Sequence, residues 1–183
     1  AAMVMYYELN WIGTNRTADV IAGPVPPTFD VQIGERFAVW AELDGDYDVH
    51  AYDFVNQVQF AVTTTAASNE RNPATSGDWI VWERDSVAIE GWNLATGERI
   101  SLSNGGGNYN PTIAGNLVAW ETDVTGNWDV WVHRLDEGDS FAVTTGPEDN
   151  YLNNVLGNKV AYVNMSGGSE DIYVSTLEFI PDN

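Results

Sequence analysis

The sequence has no cysteine, and this absence excludes disulfide bonds, thiol catalysis and thiolate metal sites. Basic residues are scarce, with 7 Lys and Arg against 27 Asp and Glu, so the formal net charge is −20. A surface of this sign repels phosphate backbones and anionic lipid headgroups, which argues against nucleic acid as a partner and against membrane association. No apolar run approaches the length of a membrane span, so we expect no membrane-spanning segment.

The chain nevertheless contains ample material for a folded core. It is 44% hydrophobic, and its 183 residues include 8 Trp, 8 Tyr and 6 Phe. This length and composition predict a single domain over residues 1–183 and argue against disorder. Lys159 is the only lysine. So little lysine favours a saline or ion-rich setting, although an acidic surface is also suited to binding cations or basic partners.

A motif of about 40 residues recurs along the chain. Each copy has a glycine, a polar residue and a short apolar strand that ends in an aromatic ring. The rings of the clear copies are Trp40, Trp82, Trp120 and Tyr162, and Tyr7 belongs to a weaker copy. The repeats cover approximately residues 1–28, which are degenerate, 29–71, 72–109, 110–151 and 152–183. Internal repeats of this length indicate a repetitive architecture.

Further strands repeat in phase with the rings. Asp48–Tyr52 recurs as Asp129–His133 and Asp171–Ser175, and Phe60–Thr64 recurs as Phe141–Thr145. These strands are largely apolar on both faces, as strands packed between neighbouring sheets must be. A period near 40 residues is typical of four-stranded β-propeller blades, whereas a β-helix repeats at shorter intervals and an immunoglobulin-like sandwich has no such period.

We therefore predict an all-β propeller with almost no helix. Five blades are expected, the first of them degenerate, with strand exchange between the termini closing the ring. Met3–Glu8 is the segment expected to join the last blade. If the ring does not close in this way, the chain is expected to be part of a longer propeller.

The succession of motifs resembles the TolB-like β-propeller repeat family. The resemblance rests on Asn110-Pro111, Gly115–Trp120, Gly126–Asp129, Asp129–Val132 and Val143–Thr145, and it extends over about residues 29–183. The usual Ser-Pro-Asp-Gly turn is replaced by Gly-Glu, Gly-Asp and Gly-Asn, as in cell-surface members. The resemblance implies a rigid interaction scaffold in a periplasmic or cell-surface location.

Two arrangements could bind a metal. Asp44, Asp46 and Asp48 alternate in a turn, and oxygen ligands so spaced suit Ca²⁺; alternatively, Asp48 only bonds local amides of a hairpin. His50 and His133, the two histidines, could form a metal pair if two blades brought them together, but ordinary strand positions are the simpler interpretation. We expect no cofactor other than this possible Ca²⁺.

Asn15 and Asn164 begin N-glycosylation sequons, which agree with an extracellular or cell-surface location. Four tryptophans outside the main aromatic column could stack on sugars or wedge between blades: Trp11, Trp79, Trp92 and Trp128.

The chain lacks Gly-x-Ser-x-Gly, a phosphate-binding loop and His-Glu-x-x-His. With so many carboxylates, no pair of them identifies an acid–base catalyst. The sequence therefore predicts a non-enzymatic extracellular or cell-surface module that binds other proteins or copies of itself. A lectin-like glycan-binding propeller and a five-bladed glycoside hydrolase or lyase are the alternatives.

Overall fold

The computed structural model describes residues 2–8, 17–25, 28–103 and 105–178. Every regular element within these ranges is a strand, as the sequence predicts. The strands are β1 (Ala2–Glu8), β2 (Thr17–Val25), β3 (Thr28–Ile33), β4 (Phe37–Asp44), β5 (Asp46–Asp53), β6 (Val58–Ala61), β7 (Glu70–Ser76), β8 (Trp79–Arg84), β9 (Ala88–Asn93), β10 (Arg99–Leu102), β11 (Asn108–Ala114), β12 (Leu117–Thr122), β13 (Asp129–Arg134), β14 (Asp139–Ala142), β15 (Asn150–Leu156), β16 (Lys159–Asn164) and β17 (Asp171–Thr176).

The strands form antiparallel sheets in which neighbours in sequence are neighbours in space. Blade 1 contains β3–β6, blade 2 contains β7–β10, blade 3 contains β11–β14, and blade 4 contains the three strands β15–β17. The first and second strands of blades 2, 3 and 4 are joined by tight turns at Gly77, Gly115 and Gly157, whose φ angles are +56°, +58° and +58°. L side chains are strained at such angles, so glycine permits these turns. This sheet pattern confirms the predicted propeller of about 40-residue blades.

The cores lie between blades, because each blade is apolar on both faces. Trp40, Trp82 and Trp120 occupy equivalent positions on second strands and are at most 2% exposed. Trp82 packs into the core between blades 1 and 2, and Trp120 into the core between blades 2 and 3. Their burial removes large apolar surfaces from water, which is the main favourable term in folding.

Tyr162 has the same register in blade 4, where it pairs with Tyr173 as Trp120 pairs with Trp131. It is only half-buried, although its place in the repeat predicts a buried ring like those of the three tryptophans. The reason is that blade 4 lacks a fourth strand and a following blade among the described residues. The side chain of Tyr7 lies outside the described side chains.

The N-terminal segment does not make the predicted strand exchange with the last blade. β1 pairs with β2 and not with the last sheet, in which only β15, β16 and β17 are found among the described strands. Ile21 and Ala22 of β2 are buried against Ala38 and Trp40 of blade 1. The two strands of the hairpin therefore pair with each other, and β2 covers one face of blade 1.

Candidate functional site: the channel mouth and its aromatic rim

The innermost strands of the four blades surround a cavity of about 320 Å³. β3, β7, β11 and β15 each contribute polar side chains to its wall, among them Asp30, Asn72, Asn110 and Asn154. Residues from the corresponding strands of four repeats thus line one channel, although they are far apart in sequence.

A backbone irregularity repeats in these inner strands. The pairing register shifts just after Phe29, Arg71 and Tyr109. The residues that follow them, Asp30, Asn72 and Asn110, have φ angles of 55°, 48° and 49°. Asp and Asn tolerate this left-handed conformation better than most residues. Asn72-Pro73 and Asn110-Pro111 therefore lie in β-bulges that line the channel.

Two carboxamides of the channel wall bond to carboxylates on the neighbouring second strands. The Asn72 Nδ2 donates to Oε2 of Glu83 at 2.8 Å and to Oδ1 of Asn110 at 2.9 Å. The Asn110 Nδ2 donates in turn to Oε2 of Glu121 at 2.9 Å. Burial raises the pKa of Glu121, while the bond from Asn110 opposes the rise. These two glutamates are thus held by neighbouring amides.

An aromatic rim lies beside the channel mouth, on the face formed by the β12–β13 connection and the starts of β11 and β15. The rim consists of Tyr109, Trp128 and Tyr151, all half-buried. The rings of Tyr109 and Trp128 meet edge to face, with centroids 4.9 Å apart, and Trp128 lies 6.0 Å from Tyr151. Such pairs favour fixed ring positions. The Trp128 amide also donates to Oδ1 of Asp149 at 2.9 Å.

Carboxylates surround the rim. Burial raises the pKa of Tyr109, and the negative charges of Asp123 and Glu83 raise it further. Burial likewise raises the pKa of Tyr151, with added contributions from Asp149 and Glu121. The rings thus face a strongly negative environment that favours a positively charged ligand.

The equivalent rim between blades 1 and 2 is built differently. Tyr47 takes the place of Trp128, immediately before the repeated Asp, and its ring lies 5.7 Å from Phe29. Phe29 thus stands in the place of Tyr109, and Arg71 of the following blade stands in the place of Tyr151. The guanidinium carbon of Arg71 lies 3.9 Å from the Tyr47 ring centroid. A cation of the chain itself therefore covers this second platform.

The three aspartates of the acidic turn in blade 1 make separate contacts. The Asp46 carboxylate accepts from the amide of Ala67, and the Asp48 Oδ1 accepts from the Thr63 hydroxyl at 3.1 Å. Asp44 pairs with Asp46 across the Gly45 turn. Over the residues given above, no group of three or more His, Asp or Glu side chains has a geometry that could hold a metal ion. The calcium prediction for Asp44, Asp46 and Asp48 therefore has no geometric support there.

The two histidines lie in different blades. His50 stacks on Trp40 in blade 1, with ring centroids 6.1 Å apart. His133 is buried in blade 3, where its Nδ1 lies 2.9 Å from the Ser140 hydroxyl. Burial lowers the pKa of His133, which favours its neutral form.

The other predicted positions have distinct environments. Trp79 is buried between blades 2 and 3, and Trp92 packs beneath the guanidinium of Arg99 at 4.1 Å. Of the four tryptophans, Trp128 is the one on the rim. The Asn164 amide donates to Oδ1 of Asn150 at 2.8 Å, and its side chain is half-buried. Asn15 and Trp11 lie outside the described residues.

No helix in the described ranges is long and apolar enough to span a membrane. No protein-family model matches the sequence. No curated protein matches it either.

Solved structures share the fold. TolB from Acinetobacter baumannii superposes with a TM-score of 0.66 at 14% identity, over 87% of this chain and 43% of TolB. Putative TolB from Agrobacterium tumefaciens superposes with a TM-score of 0.61 at 18% identity, over 93% of this chain and 68% of that protein. Oligogalacturonate lyase in complex with manganese superposes with a TM-score of 0.62 at 16% identity, over 87% of this chain and 53% of the lyase.

At this identity the similarity establishes the fold, so the chain has the β-propeller fold of TolB and TolB-like proteins. It spans less than half the length of the Acinetobacter protein. The same fold occurs in TolB and in a lyase, and therefore it does not decide between binding and catalysis.

Proposed function

We propose that this chain is a non-enzymatic extracellular or cell-surface propeller that binds a basic segment of another protein at the aromatic rim. The observation that carries this proposal is the row formed by Tyr109, Trp128 and Tyr151 among carboxylates. Aromatic faces attract guanidinium and ammonium groups, and nearby negative charges add to that attraction.

The second platform supports the same ligand chemistry. Arg71 covers the ring of Tyr47 between blades 1 and 2, so this scaffold already holds a guanidinium over an aromatic at that position. Between blades 3 and 4, Tyr151 stands where Arg71 would be, so the chain supplies no guanidinium of its own at this position. An arginine from a partner would supply there the cation that Arg71 supplies between blades 1 and 2.

A binding role also agrees with the state of the two glutamates that bond to the channel asparagines. Glu83 and Glu121 accept hydrogen bonds from Asn72 and Asn110, which hold the two carboxylates in place. Carboxylates restrained in this way support a structural function better than proton transfer. The acidic, lysine-poor composition and the sequon at Asn164 support the proposed location outside the cell.

The test uses an arginine-rich peptide and a peptide of the same length with citrulline in place of arginine. Calorimetry should detect binding of the first peptide only, with an affinity that falls as salt rises. Trp128→Ala should weaken binding by about tenfold, since a desolvated cation–π contact contributes about 1–2 kcal/mol. Tyr47→Ala is the matched control and should leave the affinity unchanged.

Binding that is absent, or equally weakened by both substitutions, would contradict the proposal.

Glycan binding is the second candidate, because half-buried aromatic rings beside polar groups also suit sugar faces. Because an oligogalacturonate lyase has the same fold, a polysaccharide substrate should be tested as well. A neutral oligosaccharide series and polygalacturonate with Mn²⁺ distinguish the possibilities. Saturable sugar binding that Trp128→Ala abolishes would favour the lectin, and turnover of polygalacturonate would favour the enzyme over the proposed peptide-binding module.

A further inference from the structure

The carboxylate of Glu70 is buried without a hydrogen-bond donor. Glu70 begins β7 and is 1% exposed. Neither of its carboxylate oxygens has a hydrogen-bond partner. An ionised carboxylate in such a place is costly, so it must either carry a proton or be compensated by a cation.

The equivalent positions in the next two blades contain asparagine. Asn108 is fully bonded, since its Nδ2 donates to the carbonyls of Val87 and Gly106 and its Oδ1 accepts from the Trp120 indole at 2.9 Å. In blade 2, the indole nitrogen of Trp82 lacks a partner as well. Glu70 therefore does not perform the structural role that Asn108 performs in blade 3.

Oxygen atoms from blade 1 and from the connection into blade 2 approach Glu70 instead. The negative charge of Asp48 acts on it, and the hydroxyls of Ser68 and Thr63 lie beside it. The protons of those hydroxyls are used elsewhere. Thr63 donates to Oδ1 of Asp48 at 3.1 Å, and Ser68 donates to Oδ2 of Asp85 at 2.9 Å.

The basic side chain on the paired strand is also engaged elsewhere. Arg84 lies opposite Glu70 in the β7–β8 pairing. Its Nε donates to Oε1 of Glu90 at 2.6 Å, and its Nη1 lies 3.7 Å from Asp85. Glu70 thus faces carboxylate and hydroxyl oxygens and receives no hydrogen bond from a cationic side chain.

We propose that Glu70 and Asp48, together with the hydroxyl oxygens of Thr63 and Ser68, bind one Ca²⁺ ion between blades 1 and 2. Two carboxylates and neutral oxygens are ligands that Ca²⁺ prefers, and water completes its coordination. The ion joins β5 of blade 1, the β6–β7 connection and the start of β7. It therefore ties one blade to the next independently of the aromatic rim.

The experiment compares apo protein, prepared with a chelator, with protein titrated with CaCl₂ in a background of NaCl that screens surface carboxylates. Calorimetry should show a single saturable site, and the Tm should rise with Ca²⁺ as linkage requires. Glu70→Gln and Asp48→Asn should each weaken binding by about tenfold or more, the loss expected when a metal-site partner is removed.

Asp129→Asn is the matched control, because Asp129 accepts the corresponding hydroxyl bond from Thr144 in blade 3, and Asn150 at the start of blade 4 takes the place of Glu70 there. It should retain the Ca²⁺ response even if its apo Tm falls. Glu70→Asn provides a second variant with the residue of blade 3, and it should fold without Ca²⁺ and show no response to the ion. A wild-type Tm that ignores Ca²⁺ but rises as the pH falls would instead assign a buried proton to Glu70 and overturn the proposal. Equal loss of binding in Asp129→Asn would overturn it as well.

Discussion

Blades 3 and 4 contain closely related strands in different surroundings. Val130 and Val132 of β13 are fully buried, because blade 4 packs against them. Ile172 and Val174 occupy the same register on β17, yet they are 83% and 59% exposed. The same apolar alternation is thus core in one blade and surface in the next. Burial here depends on the neighbouring blade rather than on the strand.

The comparison extends to hydrogen bonds. In blade 3, Asp129 accepts the Thr144 hydroxyl at 2.9 Å, and the same hydroxyl accepts from the amide of Val130 at 2.9 Å. Asp48 and Thr63 form the same clamp in blade 1. Asp171 of blade 4 has no such fourth-strand partner among the described residues and is exposed. Blades 1 and 3 therefore hold their third strands through side chains as well as through the sheet.

The largest expected effect concerns the aromatic position. Trp120→Ala should lower the free energy of unfolding by about 3–5 kcal/mol, since it removes a buried ring and leaves a cavity. Tyr162→Ala should cost about 1–2 kcal/mol because the ring is half-buried. Urea unfolding of both variants measures the difference, and equal losses would show that blade 4 is packed as fully as blade 3.

The next effect concerns the third strand. Val132→Ala should cost about 2 kcal/mol, from about 0.8 kcal/mol for each buried CH₂ and an added cavity term. Val174→Ala should change the free energy of unfolding by less than about 0.5 kcal/mol, as for other surface positions. The control is the m-value of each variant, which should remain that of the parent chain. A large loss from Val174→Ala would mean that another surface covers blade 4 in solution.

The hydrogen-bond clamp is expected to have a smaller effect. Asp129→Ala should cost about 1–2 kcal/mol, because buried hydroxyls lose their acceptor. Asp171→Ala should change stability by less than about 0.5 kcal/mol. Thermal denaturation at neutral pH compares the two variants. Equal shifts of the Tm by the two substitutions would contradict the difference between blades 3 and 4.

The smallest effect is a pH dependence at Glu121, where blade 4 has Val163 in the same register. Burial raises the pKa of Glu121 in the folded chain, so its contribution to stability is greatest below its unfolded pKa and is lost as the pH rises through the folded value. Glu121→Gln should remove this dependence, so the variant should gain stability over the parent at neutral pH relative to acidic pH. Urea unfolding at several pH values measures it, and parallel curves would contradict it.

Much of the architecture could be predicted from repetition. The spacing of Trp40, Trp82 and Trp120 predicts equivalent strands, and a period near 40 residues predicts four-stranded blades. Both predictions depend on local pattern, which a sequence displays directly. The Asn-Pro pairs at Asn72 and Asn110 also repeat in phase along the sequence. Only the structure shows that they form the β-bulges of the channel.

The candidate sites depended on contacts between repeats. The rim joins Tyr109, Trp128 and Tyr151 from two blades, and nothing in their sequence positions distinguishes them from core aromatics. Glu70 is one of 27 acidic residues, and only its surroundings reveal that it lacks a donor. The pairing of β1 with β2 was likewise undetermined by pattern, since a strand that can join a distant sheet can also form a local hairpin.

The sequence by itself determined the strand order, the blade length, the apolar faces and the negative charge, because each follows from residue type and spacing along one chain. The tertiary structure decided which apolar faces are covered, which aromatics form the rim and which carboxylate lies buried without a partner. The physical reason is that the propeller core forms between blades. Burial, hydrogen bonding and local charge at a residue are therefore set by the repeat that packs against it, about 40 residues away along the chain.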